Sequence, residues 1–296
     1  MKSSCYYYLP AIAAAAVLVS CKDSKSGDSA SSSSSTASDT VVLAKADSLP
    51  KAGTKLTASR KMAMKDATMK VSAGGQNMDG TASVTETETT TIEFASADKV
   101  KSTVTAGEKA QTTKMNGQDI PNEPQPNSLL NVPVVYTKKD GKWTGALESG
   151  TATAAQTKDI AKLEKKLNKP KDASVYGTSP HKVGDSWTVD AADLAFADDD
   201  NETKGSLKLT FKGIETYEGK KCARLEGPLE LTGKTAADKG SLDLSMKGDM
   251  VILRAIDEMI DMKTDFKGKM EMKGNIPGGT MSMEGGIVVD ESNKIN

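Results

Sequence analysis

Apolar and polar residues alternate with a period of two over most of this chain, which is the signature of strands with one greasy and one wet face. In Gly240–Ile252 the even positions are Leu242, Leu244, Met246, Gly248, Met250 and Ile252, and the odd positions are Ser241, Asp243, Ser245, Lys247 and Asp249. Asp265–Ile276 repeats the rule, with Phe266, Gly268, Met270, Met272 and Ile276 set against Lys267, Lys269, Glu271 and Lys273. Leu207, Leu209 and Phe211 follow it, as do Leu225, Leu229 and Leu231, then Met281, Met283, Ile287 and Val289. The pattern is weaker before residue 110, through Leu56, Met62, Met64, Met69, Val71, Val84, Ile92, Phe94, Val100 and Val104. The Thr-rich run Thr85–Thr91 favours strand by propensity. Strands with one apolar and one charged face pair antiparallel and leave one side to water. The expected fold is mainly β: an antiparallel, curved sheet or half-barrel with one short helix.

The helix falls in Gln156–Asn168, where Ile160, Leu163 and Leu167 recur at helical spacing and Asn168-Lys169-Pro170 supplies a stop. Ile252–Asp261 fits a helix or a continued strand about equally well. Val134–Thr137 and Lys142–Leu147 form a hairpin around Asp140-Gly141. Asp119–Pro133 holds Pro121, Pro124, Pro126 and Pro133 and reads as a linker. The body therefore divides into an N-terminal β half (51–118), the Pro-rich linker (119–133), and a hairpin, helix and C-terminal β half (134–296), which could also join 51–118 in one domain. Ahead of it, residues 21–50 carry Ser31-Ser32-Ser33-Ser34-Ser35 and too little apolar area to offset ordering, so they form a disordered tether with a reach of roughly 30 Å. A minor strand near Thr40–Lys45 is the one element this stretch offers.

The first 20 residues read as a signal. Lys2 precedes an Ala-rich apolar run, Leu9–Val19, which is shorter than the roughly 20 residues a membrane span needs. The run ends in Leu18-Val19-Ser20-Cys21, which resembles the lipobox of bacterial lipoproteins. That resemblance implies cleavage before Cys21, lipidation of its thiol, acylation of its amine, and lasting membrane attachment by several chains. Lys22 stands where that family often uses Asp to retain a protein at the inner membrane, so the resemblance implies the outer membrane, with the body in the periplasm.

Charge and composition then narrow the task. With 39 basic against 40 acidic residues there is no basic excess for nucleic acid. One histidine and three cysteines rule out His/Cys zinc clusters. Removing the signal leaves Cys222 without an intrachain partner, since Cys21 is consumed by lipid, and Cys222 on its strand reads as a buried inert thiol. The order of Pro-rich loop, Asp-Gly hairpin, short helix and Gly184-Asp185-Ser186-Trp187 opening a strand-rich half is similar to uncharacterised β-rich envelope lipoproteins. That resemblance spans roughly Thr54 to Val289 and implies no catalytic residues.

Candidate chemistry is sparse. His181, with Asp185 and Ser186 close in sequence, is the sole available base and reads as an exposed loop residue. Asp198-Asp199-Asp200-Asn201-Glu202 lacks EF-hand spacing and reads as a solvated loop. Paired Met62/Met64, Met270/Met272 and Met281/Met283 coincide with the apolar parity and read as filling for a core short of aromatics. Two other uses compete: a groove for varied hydrophobic ligands, joined by Trp187, and soft-metal ligation. No cofactor and no metal follow from any motif. The expectation is a lipid-anchored, non-enzymatic binding or scaffold module that meets the membrane through its anchor and an envelope protein partner through its body. The alternative is a carrier of lipid or another hydrophobic ligand on the apolar sheet face.

Overall fold

The computed structural model describes residues 40–45, 49–122, 126–168, 172–194, 203–237 and 240–296. Its strands are β1 (Val41–Val42), β2 (Lys55–Ala73), β3 (Gln76–Ser96), β4 (Lys99–Met115), β5 (Gln118–Ile120), β6 (Val134–Lys139), β7 (Lys142–Leu147), β8 (Pro180–His181), β9 (Ser186–Asp190), β10 (Lys204–Tyr217), β11 (Lys220–Ala237), β12 (Gly240–Ala255), β13 (Ile260–Ile276) and β14 (Gly279–Ile295). Two helices, α1 (Ala154–Asn168) and α2 (Asp172–Tyr176), lie between β7 and β8. All strands but β1 and β8 join one sheet in the order β7-β6-β4-β3-β2-β14-β13-β12-β11-β10-β9, with β5 beside β4. Every pairing along it is antiparallel. The last strand, β14, pairs with the first long one, β2, so residues on both sides of the Pro-rich segment belong to one sheet.

The long strands hold 16–21 residues in β2, β3, β4 and β11 to β14, so they run about 50–70 Å at a rise of 3.2–3.4 Å per residue. Two-residue turns link many of them, and glycine meets a local demand at these points. Asn116-Gly117, Asp140-Gly141 and Glu218-Gly219 each place both residues at positive φ, the hairpin geometry that matches strand twist. The sheet has two distinct ends. The turns at Gly74-Gly75, Asn116-Gly117 and Pro277-Gly278 lie at one end, the tip. At the other, the base, Asn296 donates its backbone N–H to Lys55.

One face of the sheet carries most of the apolar side chains, interrupted between the middle and the base by Arg60, Glu86, Glu88, Lys109 and Glu291. The parity switch from Met62 and Met64 to Met69 and Val71 in β2 has a cause: a bulge between Met64 and Ala67 inserts one extra residue relative to both β3 and β14. Asp66 occupies it at φ 49, and its N–H donates to Ser83 Oγ at 2.8 Å. The bulge re-phases the strand, so all four residues point the same way. A single buried cluster takes side chains from every strand between β3 and β9, including Ala82, Met64, Met283, Phe266, Ile252, Leu225, Leu207 and Val189. No second layer of that width exists among the described residues. The sheet buries this face by curling, and its terminal strands β7 and β9 remain unpaired with each other, so the curl is not a closed barrel. Gly248 and Gly268 stand opposite each other in the middle, and the Phe266 ring covers both.

A second cluster fills the base beneath α1, with Leu56, Phe94, Val100, Val134, Tyr136, Trp143 and Ile160. The expected helix Gln156–Asn168 begins two residues earlier. Thr153 caps it reciprocally: Gln156 N–H donates to Thr153 Oγ1, and Thr153 N–H to Gln156 Oε1 at 2.9 Å. α1 also protects an edge. Trp143 N–H donates to Asn168 Oδ1 (2.8 Å), Asn168 Nδ2 donates to the Trp143 carbonyl (3.0 Å), and Gly145 N–H donates to Glu164. These bonds satisfy the outer backbone of β7, where another chain could otherwise pair.

The Pro-rich segment does similar work on β4. Asn122 Nδ2 donates to the Gln111 carbonyl, Asn131 N–H to the Val104 carbonyl at 2.7 Å, and Leu130 forms a bridge with Val104. Its described residues thus lie along a strand edge that the short β5 and β6 leave open. The stretch Ile252–Asp261 is neither a helix nor one strand: β12 runs to Ala255, the chain turns with Met259 at φ 56, and β13 starts at Ile260.

Gly145 sets how closely α1 approaches. A Cβ there would stand 2.5 Å from the Tyr136 ring and 2.7 Å from Ile160 Cγ2. Gly145→Val should therefore push α1 off β7 and cost about 1–3 kcal/mol, the usual range for overpacking. Thermal unfolding monitored by circular dichroism measures this, and an unchanged melting temperature would contradict the packing described.

Candidate functional site

The fold gathers most of its methionines on the inner, more apolar face of the sheet. All methionines after Met1 except Met259 and Met262 stand on it, at alternate positions of β2, β3, β4, β12, β13 and β14. Five of the six anticipated from the sequence, Met62, Met64, Met270, Met272 and Met283, share the large cluster, and Met281 sits in a smaller one at the tip with Met69, Val71 and Leu242. All six are buried, with none more than 8% exposed. In this conformation they form core, and the groove reading requires the curl to open. The opposed pairs are Met272 with Met283, Met283 with Met69, and Met246 with Met270.

Trp187 is half-buried on the same face, opposite Leu209, and its Nε1 donates to the Val175 carbonyl of α2 at 2.8 Å. The turn before it is built as Gly184-Asp185 suggests. Asp185 accepts the Lys182 N–H, and backbone bonds between Gly184, Asp185 and Phe211 lock the turn to β10. Trp187 therefore anchors α2 and packs against the cluster that holds most of the methionines. His181, expected in an exposed loop, is half-buried in β8. It shares a hydrogen bond of 2.8 Å between Nε2 and the Tyr176 carbonyl and stacks on Trp187 with centroids 4.3 Å apart. Pairing of β8 with β1 accounts for the difference.

The base holds a cluster that the sequence reading missed. Arg254 continues the even-numbered apolar series of β12 and is 1% exposed. Its Nε donates to the Leu43 carbonyl (2.6 Å), its Nη1 to Asp261 (2.7 Å) and its Nη2 to Asp172 of α2. The guanidinium lies 4.1 Å from the centre of the Tyr176 ring, and Tyr176 Oη donates to Asp261 at 2.7 Å. Burial disfavours the arginine's charge, but Asp261, Tyr176 and Asp172 outweigh it and hold the pKa above its ordinary value. Burial raises the Asp172 and Tyr176 pKa values as well. Leu43 and Ala44 are fully buried, so the tether expected to reach residue 50 is ordered from residue 40 to 45, because the Arg254 clamp and β8 give it partners.

The remaining candidates add no chemistry. Cys222 is fully buried, its Sγ is 3.6 Å from the Lys220 carbonyl, and burial pushes its thiol pKa up. Among the described residues no group of three or more His, Cys, Asp or Glu is arranged to hold a metal ion, and no helix is long and apolar enough to cross a membrane. Leu18, Val19, Ser20 and Cys21 lie outside the described residues, as does Asp198–Glu202. Two clefts, of about 590 and 370 Å³, lie near the tip; Val71, Met78 and Met281 line the larger beside Lys70 and Asp79, and Lys273 borders both.

Arg254→Ala should destabilise the protein by about 3 kcal/mol, since removing one partner leaves buried acceptors and carboxylates uncompensated. Hydrogen exchange at Val41–Ala44 should rise in parallel. If exchange there stays at the wild-type rate, the clamp does not hold this segment.

No family model and no curated protein matches the chain. Among solved structures, one from a study of lipid–protein interactions in lipovitellin aligns with a TM-score of 0.43 at 9% identity, over 83% of this chain and 26% of that one. The present chain thus spans about a quarter of the lipovitellin chain's length.

Proposed function

We propose that this chain is a lipid-anchored protein of the bacterial cell envelope, attached through Cys21 to the outer membrane with its body in the periplasm. Its body is a non-enzymatic binding module for a hydrophobic molecule such as a lipid. One observation carries the ligand class: a large buried apolar cluster reaching from β3 to β9, lined by unbranched and adaptable methionines, is enclosed by a sheet whose terminal strands β7 and β9 are not paired with each other. Opening such a curl breaks apolar contacts and leaves every strand ladder intact. A ligand with an acyl chain would replace those contacts in kind. The lipobox resemblance at Leu18-Val19-Ser20-Cys21 supports the anchor.

A second reading, a scaffold for another envelope protein, draws on the wet face. There, like charges line up across strands: Lys269 faces Lys247, with Lys65 beyond Gly286, and Glu271 faces Glu284 in the next row. Like charges directly opposite repel, and such rows suit a partner carrying the complementary pattern.

Cys21→Ala should move the protein from the membrane pellet to the soluble fraction, and undiminished membrane retention would refute the anchor. For the ligand, native mass spectrometry of the chain extracted from its own envelope should show a bound lipid mass. Consistent recovery of the bare chain, together with no uptake of a fluorescent fatty acid, would leave the scaffold reading in its place.

A further inference from the structure

The base of the sheet is charged unevenly. Its N-terminal half is formed by the base ends of β14, β2, β3, β4, β6 and β7, and there Lys51, Lys55, Lys99, Lys139, Lys142 and Lys294 are all exposed. Antiparallel pairing sets these ends side by side. Lys55 stands opposite Glu93, Lys99 stands opposite Thr137, and the Lys138 N–H donates to the Asp98 carbonyl at 2.8 Å. Of the six, only Lys55 forms an ion pair among the described residues, with Glu93 at 3.2 Å. Lys139 and Lys142 oppose each other directly, a like-charge pair that is destabilising until an anion offsets it. Glu93, Asp98 and Asp140 are the acidic residues of these strand ends, so positive charge is in excess. The other half of the base differs: its β10–β11 and β12–β13 turns carry Glu218, Asp257 and Glu258 against Lys220 and Lys221.

We infer that the lysine-rich half of the base docks on an anionic phospholipid surface and stands the strands upright, with the tip clefts facing away from the membrane. Clusters of about four to eight basic side chains beside a membrane attachment recognise anionic headgroups. The patch uses lysine alone. An arginine fork suits a phosphate or carboxylate of fixed geometry, whereas lysine is a point charge on a flexible stem and can follow headgroups that diffuse. The chain leading from Cys21 also enters the body at this end, because the Arg254 clamp holds Leu43 there and β1 pairs with β8 beside it. The upright orientation rests on the anchor proposed above, and the attraction of the patch for anionic lipid does not.

The test reconstitutes the chain purified from its own envelope with vesicles of phosphatidylcholine, with or without phosphatidylglycerol. Flotation reads attachment, and mass spectrometry after a pulse of a water-soluble acetylating reagent reads the exposure of each lysine. On the anionic vesicles Lys51, Lys99, Lys139, Lys142 and Lys294 should be acetylated about fivefold more slowly than on the neutral ones. Lys70, Lys114 and Lys234 at the tip should react equally on both. The protection should vanish at about 1 M salt, where the screening length falls to about 3 Å. Lys99→Gln/Lys139→Gln/Lys142→Gln, all exposed substitutions, should abolish protection of Lys51 and Lys294, and Lys70→Gln/Lys114→Gln/Lys234→Gln should preserve it. Equal acetylation on the two kinds of vesicle overturns docking, and flotation with both then still upholds the anchor. Undiminished protection in the base variant, or its loss in the tip variant, also overturns docking. A chain that floats only with anionic vesicles and is released by salt upholds docking and refutes the anchor. Protection by a soluble polyanion such as heparin, with none from anionic vesicles, overturns the membrane as the partner.

Discussion

A sheet this wide with one greasy face must bury that face against something, and the rest of the structure follows from having no second layer to bury it against. Curling is the solution, and it explains several sequence choices together. The Met-rich composition suits a surface whose curvature varies along its length, because unbranched side chains fill irregular gaps where rigid aromatics would not. Gly248 and Gly268 let adjacent backbones approach in the middle, with Phe266 restoring cover over them. The bulge at Asp66 keeps β2 in phase with its neighbours as the sheet bends.

Curling leaves open edges, and in the N-terminal half two segments cover them while burying apolar side chains of their own, Ile160 of α1 and Leu129 of the Pro-rich segment. Asn168 and Glu164 of α1 bind the outer backbone of β7, and residues of the Pro-rich segment cover β4. Prolines suit that place because they cannot extend a ladder. The segment therefore functions as an edge guard, which is why composition alone makes it resemble a linker.

Much of this was legible from alternation, because a period of two assigns a face to each residue without knowledge of the partner strand. The hairpin at Asp140-Gly141 and the helix ending at Asn168 were equally local signals. Register was not legible. It pairs Met283 of β14 with Met69 of β2, and it places Met64 beside Gly285, contacts between residues far apart in the sequence. The short helix α2 escaped because its five residues show no periodicity. Arg254 did leave a trace: it continues the phase of Leu242 to Ile252, and a charged side chain in an apolar phase marks a buried partner. Asp172, Asp261 and the Leu43 carbonyl supply that partner from three separate segments, so only the folded chain identifies them.

The Arg254 clamp also has a mechanical meaning. It grips the chain at Leu43, before β2 begins at Lys55, and β2 is held by ladders on both sides in the interior of the sheet. Any pull arriving from the N-terminal side meets the clamp and the two-residue pairing of β1 with β8 first. Those few contacts act as a strain relief, yielding before load reaches the long ladders that keep the curl together.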